Sequence, residues 1–323
     1  MSLKWVKHGK IFDPTDYSAS EPYIGLFAQS PQTLVFENFI RIYFSTRRVE
    51  ETSGKFISHV SYVDMDKKLQ KIIGFNKSSV ISRGSLGCFD EHGIFPFNVV
   101  RHQNKILAYT TGWSRRVSVS VDTGIGLALS EDEGKSFQRY GTGPVMSASV
   151  GEPYLVADAF VKSINNQLHM WYIFGTKWMR YKPDCDPDRT YKIGYATSTN
   201  GIDWKRTDAL QIIPDLLGEY ESQALPSVAY WGGIYHMFFC YRESYNFRKA
   251  AGRGYRLGYA RSKDLIEWER DDSQVSSLES EAGWDGEMQC YPHIFECDGT
   301  VFLLYNGNEF GRYGFGVAEL VLK

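Results

Sequence analysis

Ile125-Gly126-Leu127-Ala128-Leu129-Ser130 recurs as Ile193-Gly194-Tyr195-Ala196-Thr197-Ser198 and again as Leu257-Gly258-Tyr259-Ala260-Arg261-Ser262. An aromatic and then a basic residue follow each copy: Phe137-Gln138-Arg139, Trp204-Lys205-Arg206 and Trp268-Glu269-Arg270. A shortened copy, Phe315-Gly316-Val317-Ala318, lies near the end, and a degenerate one, Val60-Ser61-Tyr62-Val63-Asp64, near the start. With Ser61 in place of the glycine, the steps are 65, 68, 64 and 58 residues. A period of this length marks a repeated supersecondary unit.

A second phrase precedes each copy, with a proline opening a β-rich run. It starts at Pro31, Pro96, Pro226 and Pro292, and Ala159 takes the proline's place in the third unit. Each unit reads as strand, tight turn, strand, variable loop, the Gly-x-Ala-x-Ser strand, turn and strand. No segment carries a long 3.6-residue apolar period. Four antiparallel strands in each of five units, without helices, predict an all-β five-bladed β-propeller forming one domain over residues 1–323. The blades run over roughly 24–80, 88–147, 152–213, 219–278 and 284–322. The last blade ends early, so the N-terminal strand at 3–12 is expected to close it.

Composition narrows the function. The 323 residues carry a net charge of −2, so no global basic field points to nucleic acid. Lys4, Lys7 and Lys10 flank an apolar stretch too short for a secretory signal, and no run approaches 18 apolar residues. Five cysteines form no Cys-x-x-Cys pair. A cytoplasmic, reduced protein without a structural metal or cofactor is expected. The aromatic excess, 21 Tyr, 20 Phe and 8 Trp, is the informative feature of the composition.

In a propeller, first-strand starts and second-strand ends meet at one face around the axis. Five residues before Pro96, Pro226 and Pro292 stand Glu91, Glu221 and Glu287. Asp158 directly precedes the proline-equivalent Ala159, Glu152 begins the same approach, and Asp90 and Asp285 add further acids. The second-strand ends supply Arg47 and Arg48, Trp113, Trp178, Arg242, Asn306 and Asn308. Aromatic faces beside arginines, amides and acids are what a sugar needs, since its C–H faces stack and its hydroxyls bond. Trp284 and Tyr291 join this set, and His92 and His293 are expected to act as hydrogen-bonding residues rather than metal ligands. A polar axis without chemistry is the competing reading of the same cluster.

Ser130-x-Asp132-x-Gly134-x-x-Phe137 fits an Asp-box, with looser versions at Ser198 and Ser262. Such a box locks a hairpin turn away from the axis. Asp184-Cys185-Asp186-Pro187-Asp188 lacks the glycine and distal Glu of a calcium loop and reads as a solvated insertion.

The stretches "IGYATSTNGIDWKR", "LGYARSKDLIEWER" and "YPHIFECDGTVFLLYNGN" resemble the five-bladed propeller glycosidases of families 43, 32, 68, 62 and 130. "FDEHGIFPFNVV", "LAYTTGW" and "GWDGEMQCYPHIF" resemble a branch found in bacterial polysaccharide-biosynthesis clusters. The resemblance implies a carbohydrate or glycoconjugate substrate and three funnel acids: a base or nucleophile, a modulating Asp and a Glu general acid. Glu221 or Glu287 is then the candidate acid, with Asp158 and Glu91 as base or modulator. The sequence departs at Gln29-Ser30-Pro31, where that resemblance expects an Asp before the proline. Hydrolysis with a relocated base, phosphorolysis or transfer, and a noncatalytic glycan-binding or assembly module all stay open. A sialidase-like site would need three convergent arginines, for which Arg47, Arg48 and Arg242 are the candidates.

Overall fold

A computed structural model describes residues 3–207, 209–248, 250 and 252–321. The expected end of the last strand at residue 322 lies outside them. Strand β1 (Trp5–Phe12) pairs not with its neighbour in sequence but with the last strand of the chain. The first unit is β2 (Leu26–Val35), β3 (Ile40–Val49), β4 (Phe56–Met65) and β5 (Ile72–Phe75). The second is β6 (Gly93–His102), β7 (Lys105–Arg115), β8 (Val121–Ser130) and β9 (Gln138–Arg139). Then come β10 (Val156–Ile164), β11 (Gln167–Met179), β12 (Asp188–Ser198) and β13 (Lys205–Arg206). Next are β14 (Glu221–Trp231), β15 (Ile234–Glu243), β16 (Arg256–Ser262) and β17 (Glu269–Arg270). The last are β18 (Cys290–Cys297), β19 (Thr300–Asn306) and β20 (Phe315–Leu320), whose free edge takes β1 in antiparallel register.

Each unit is an antiparallel meander. The first two fuse into one eight-stranded sheet through a single parallel bridge, Ser58 to Gly93. Gly93 has φ of 146°, and a Cβ there would meet Ser58 atoms at 2.6 Å, so only glycine permits that approach. Three short helical segments, Pro14–Asp16, Asp272–Leu278 and Asn308–Gly311, correct the expectation of none. The second of these buries Val275 and Leu278 against the core containing Trp5.

The first strands touch in cyclic order: β2 with β6, β6 with β10, β10 with β14, β14 with β18, and β18 with β2. Side chains stitch every step. Asn98 donates to Gln32 (3.0 Å) and accepts from the Val161 N–H (2.9 Å). Lys162 donates to the Val228 carbonyl (3.2 Å), Ser227 accepts from the Ile294 N–H (3.0 Å), and His293 Nε2 accepts from the Thr33 N–H (3.0 Å). Buried strand edges are thereby satisfied without a continuous sheet.

The Asp-box serines and the Asp or Asn two residues on accept from the turn amides as expected, at Ser130/Asp132, Ser198/Asn200 and Ser262/Asp264. Tyrosines of the preceding unit reach these turns, Tyr43 to the Gly134 carbonyl (2.6 Å) and Tyr109 to that of Gly201 (3.1 Å). The box therefore serves packing between units.

Burial holds His293 neutral, its pKa pushed down to about 3 with Lys162 adding to the effect, and lowers His59 and His236 to about 4. All three lie below the ordinary 6.5. Stability they contribute is present above 6.5 and is lost as pH falls toward 3–4, because the unfolded chain takes up the protons first. Thermal melts should thus drop in midpoint between pH 7 and 4, and His293→Gln should flatten that drop. An equally steep profile in the variant would assign the acid sensitivity elsewhere.

Candidate active site

The five first strands share one irregularity. Register slips between Gln29 and Gln32, Ile94 and Phe97, Ala157 and Phe160, Ala224 and Ser227, and Cys290 and His293. At four of these bulges the residue before the proline position takes a left-handed φ: Ser30 (53°), Asp158 (55°), Leu225 (48°) and Tyr291 (56°). The fifth, Phe95, precedes a cis proline instead. Bulges re-aim a side chain, and non-glycine residues at positive φ cluster where function holds them. Here they turn Phe95, Asp158 and Tyr291 toward one cavity. Phe95 and Tyr291, from the second and fifth units, lie with ring centroids 5.2 Å apart.

The cavity measures about 300 Å³. Trp113, Tyr191, Phe247, Tyr255 and Tyr291 give it aromatic walls, and Arg47, Arg189, Arg242 and Arg248 give it charge. Among the described lining residues Asp158 is the sole carboxylate. It is 7% exposed; its N–H donates to Thr111 Oγ1 (2.8 Å) and its Oδ2 accepts the Leu225 N–H (3.4 Å). Burial pushes its pKa up to about 7, against the smaller lowering effects of the Leu225 bond and Arg189. A carboxyl in that range both gives and takes a proton at neutral pH. Burial also raises the Tyr255 and Tyr291 phenols well above their usual range, which keeps both as neutral donors.

Arg242 is 2% exposed, donating to the Glu243 carbonyl (2.7 Å) and the Tyr191 hydroxyl (2.8 Å), with its guanidinium 3.4 Å from the Phe247 ring centroid. Tyr191 in turn bonds Tyr255. The charge is thus fixed in place by aromatic faces.

Of the residues expected from sequence, Asp158, Arg47, Trp113, Arg242 and Tyr291 meet in this cavity. The other acids do not. Glu221 is fully buried in an ion pair with Arg270 (2.6 Å), and Asp90 pairs with Arg139 (2.8 Å). Glu152 pairs with Arg206 (2.7 Å), and Asp285 with Lys7 (2.6 Å). In three units the arginine that ends the repeated phrase reaches back from the fourth strand to the acid at or just before the start of the first. In the last unit Lys7 of β1 takes that part, so closure carries its own ion pair. In four of the five units these acids pin the outer edge to the start of the inner strand.

Glu91 accepts the Gly87 N–H (2.9 Å) and lies 3.9 Å from His92, while Glu287 is exposed with its N–H on Asn308 (2.9 Å). Neither lines the cavity. Asn308 also caps the Met288 N–H, and Asn306 bonds Ser30 and the Ala28 and Gly314 carbonyls. Trp284 stacks on Tyr305 and lies against Gly307 and Gly316, where a Cβ would come within 2.5 Å of its ring. These three are structural. His92 stacks on Trp113 at 5.7 Å, and Trp178 packs beneath the Arg189 guanidinium at 5.4 Å, so both stand behind cavity walls. Arg48 bonds the Pro22 carbonyl instead of joining Arg47. Residues 184–187 lie in the connection between β11 and β12, with 184–186 exposed, and Asp188 opens β12.

Sequence reasoning missed Arg189, Tyr191, Arg248 and Tyr255. Arg189 was within reach, because it is the register partner of Trp178. A third strand begins where the second ends, so both strands serve the same face.

No family model matches the chain. Its fold is that of the β-propeller glycosidases. A solved glycoside hydrolase superposes with a TM-score of 0.74 at 14% identity, covering 100% of this chain and 93% of that one. The β-1,2-mannobiose phosphorylase of Listeria innocua gives 0.66 at 10%, over 99% and 96%. The chain belongs to the family of the uncharacterized protein MT1551 of Mycobacterium tuberculosis (strain CDC 1551 / Oshkosh). The two are 31% identical over 323 residues, covering 98% of this chain and 99% of that protein.

Proposed function

We propose that the chain is a five-bladed β-propeller enzyme that cleaves or transfers a glycosyl unit in its central cavity, with Asp158 as the proton-transfer group. Cyclic contact of the five first strands and the seating of β1 beside β20 support the five blades. The placement of Asp158 carries the enzymatic reading: it is a buried carboxyl aimed by a bulge into an aromatic cavity, where burial pushes its pKa up to about 7. Similarity to glycoside hydrolases and a mannobiose phosphorylase supports carbohydrate as substrate. Resemblance to polysaccharide-cluster proteins supports a place in bacterial surface polysaccharide metabolism.

Hydrolysis by two carboxyls requires a pair about 5–10 Å apart across the sugar. The cavity presents one among its described lining residues. Transfer to an acceptor already bound, which brings its own nucleophile, fits a lone acid better. A second reading, a noncatalytic glycan-binding module, draws on the same observation. A screen of glycans and nucleotide sugars against the wild type, Asp158→Asn and Glu287→Gln separates them. Turnover lost only in Asp158→Asn supports the enzyme; turnover untouched by it removes Asp158 from the chemistry. A sugar bound and never turned over establishes the module.

A further inference from the structure

We infer that the cavity selects an acidic sugar, one whose ring or substituent carries a carboxylate or phosphate, and that Arg47, Arg189 and Arg248 receive that anion while Arg242 holds fixed positive charge behind them. The inference rests on the carbohydrate reading and names its substrate class. Four guanidiniums and one half-neutral carboxyl make the cavity strongly cationic in a chain whose net charge is −2. Four largely buried arginines elsewhere in the molecule are answered by acids: Arg41 by Asp64, Arg139 by Asp90, Arg206 by Glu152 and Arg270 by Glu221. Among the described residues, none of the four cavity arginines pairs with a carboxylate within 4.0 Å.

Nor is the charge neutralised from behind. The buried Nε atoms of Arg47 and Arg242 have no hydrogen-bond partner, and what Arg242 does contact is a carbonyl, a phenol and ring faces. The cations also oppose each other. Although its side chain reaches the exposed rim, desolvation by the surrounding wall, then the charges of Arg189 and Arg242, weakens the hold of Arg248 on its proton. Assembling unpaired cations in a partly desolvated pocket costs free energy that an oxyanion returns on binding, through charge-assisted and forked hydrogen bonds. A neutral sugar would leave that cost standing. The arginines come from the first, third and fourth units, so they surround the ligand rather than form one surface stripe. With Trp113 and the tyrosines between them, the walls alternate ring faces and cations, which suits an anion attached to a sugar better than a free inorganic ion.

Calorimetric titration of the full chain with matched pairs tests this: glucose, glucuronate and glucose 6-phosphate, galactose and galacturonate, N-acetylneuraminate, and inorganic phosphate alone, backed by an array of neutral and acidic glycans. The expected result is binding of acidic members over their neutral counterparts. Arg248→Gln, at the exposed rim, should weaken it roughly tenfold or more without lowering the melting temperature of the free protein. Arg189→Gln provides the same reading from the neighbouring third unit. Equal binding of neutral and acidic partners overturns the selection and leaves the carbohydrate reading standing. Inorganic phosphate bound as tightly as any acidic sugar takes the anion off the sugar and overturns the inference. Binding of no glycan and no anion overturns both.

Discussion

Asp158→Asn should reduce glycosyl turnover by about 10²–10⁴-fold, the range a positioned general acid or base supplies, while the protein stays folded. The amide is isosteric, keeps an oxygen for the Leu225 N–H, and leaves the Thr111 contact to the backbone untouched. It cannot exchange a proton. The same substitution has a signature in stability. The wild-type carboxyl sits near 7 in the fold against an ordinary 3.8. A group whose folded pKa is raised stabilises below its unfolded value, and that contribution is lost as pH rises through the folded one. Between about pH 4 and 7 the unfolded chain releases this proton while the folded carboxyl keeps it, so the wild type loses stability over that range, and the neutral variant does not. At pH 8 the variant should melt above the wild type, and at pH 4 the two should converge. Lower activity with higher stability at alkaline pH is the pattern of a carboxyl held for chemistry. A variant less stable at every pH would mark Asp158 as a structural residue.

Arg270→Met should do the opposite, lowering stability by about 3–5 kcal/mol, the usual result of stripping one partner from a buried ion pair. Glu221 has no solvent access, and its remaining donors are the Leu216 and Leu217 amides and Gln223. Those three neutral donors are left to hold a full charge. A domain with 5–15 kcal/mol in hand would lose a large share of it, read as a drop in denaturation midpoint or as insoluble expression. Removing both charges, in Arg270→Met with Glu221→Leu, should recover much of the loss, since a packed apolar pair often replaces a buried ion pair without penalty. Glu221→Gln should lower the melting temperature and leave activity per folded molecule unchanged. If it instead abolished turnover in a folded protein, the division between pinning acids and the cavity acid would fail.

That division shows how far the sequence could be read. The Gly-x-Ala-x-Ser phrase located the third strand of each unit because the glycine faces close neighbours; at Gly126, Gly194 and Gly258 a Cβ would meet side chains of its own sheet or of the approach to it within 3.0 Å. The prolines located the inner strands, since the residue before each is the one that bulges. Counting back from the prolines to the acids did not work. The approach loops differ in length, so a five-residue step lands on Glu221, which is paired, but beside Asp90 and Asp285 on Glu91 and Glu287. The signal that would have found the pins was already present in Arg139, Arg206 and Arg270, whose repetition called for a repeated partner. Asp158 was legible as the one acid directly before a proline position. Half of the cationic wall was legible in Arg47 and Arg242 at second-strand ends; the other half was not, because Arg248 lies in the loop after β15 and Arg189 at a third-strand start.

A crystal structure with an acidic sugar bound tests most directly whether the cavity is the site. The ring is expected against Trp113 and Tyr291, with the anion among Arg47, Arg189 and Arg248 and a sugar oxygen within hydrogen-bond distance of Asp158. A sugar seated instead beside Glu287, in the separate depression lined by Gly286 and Met288, with the cavity empty, would contradict it.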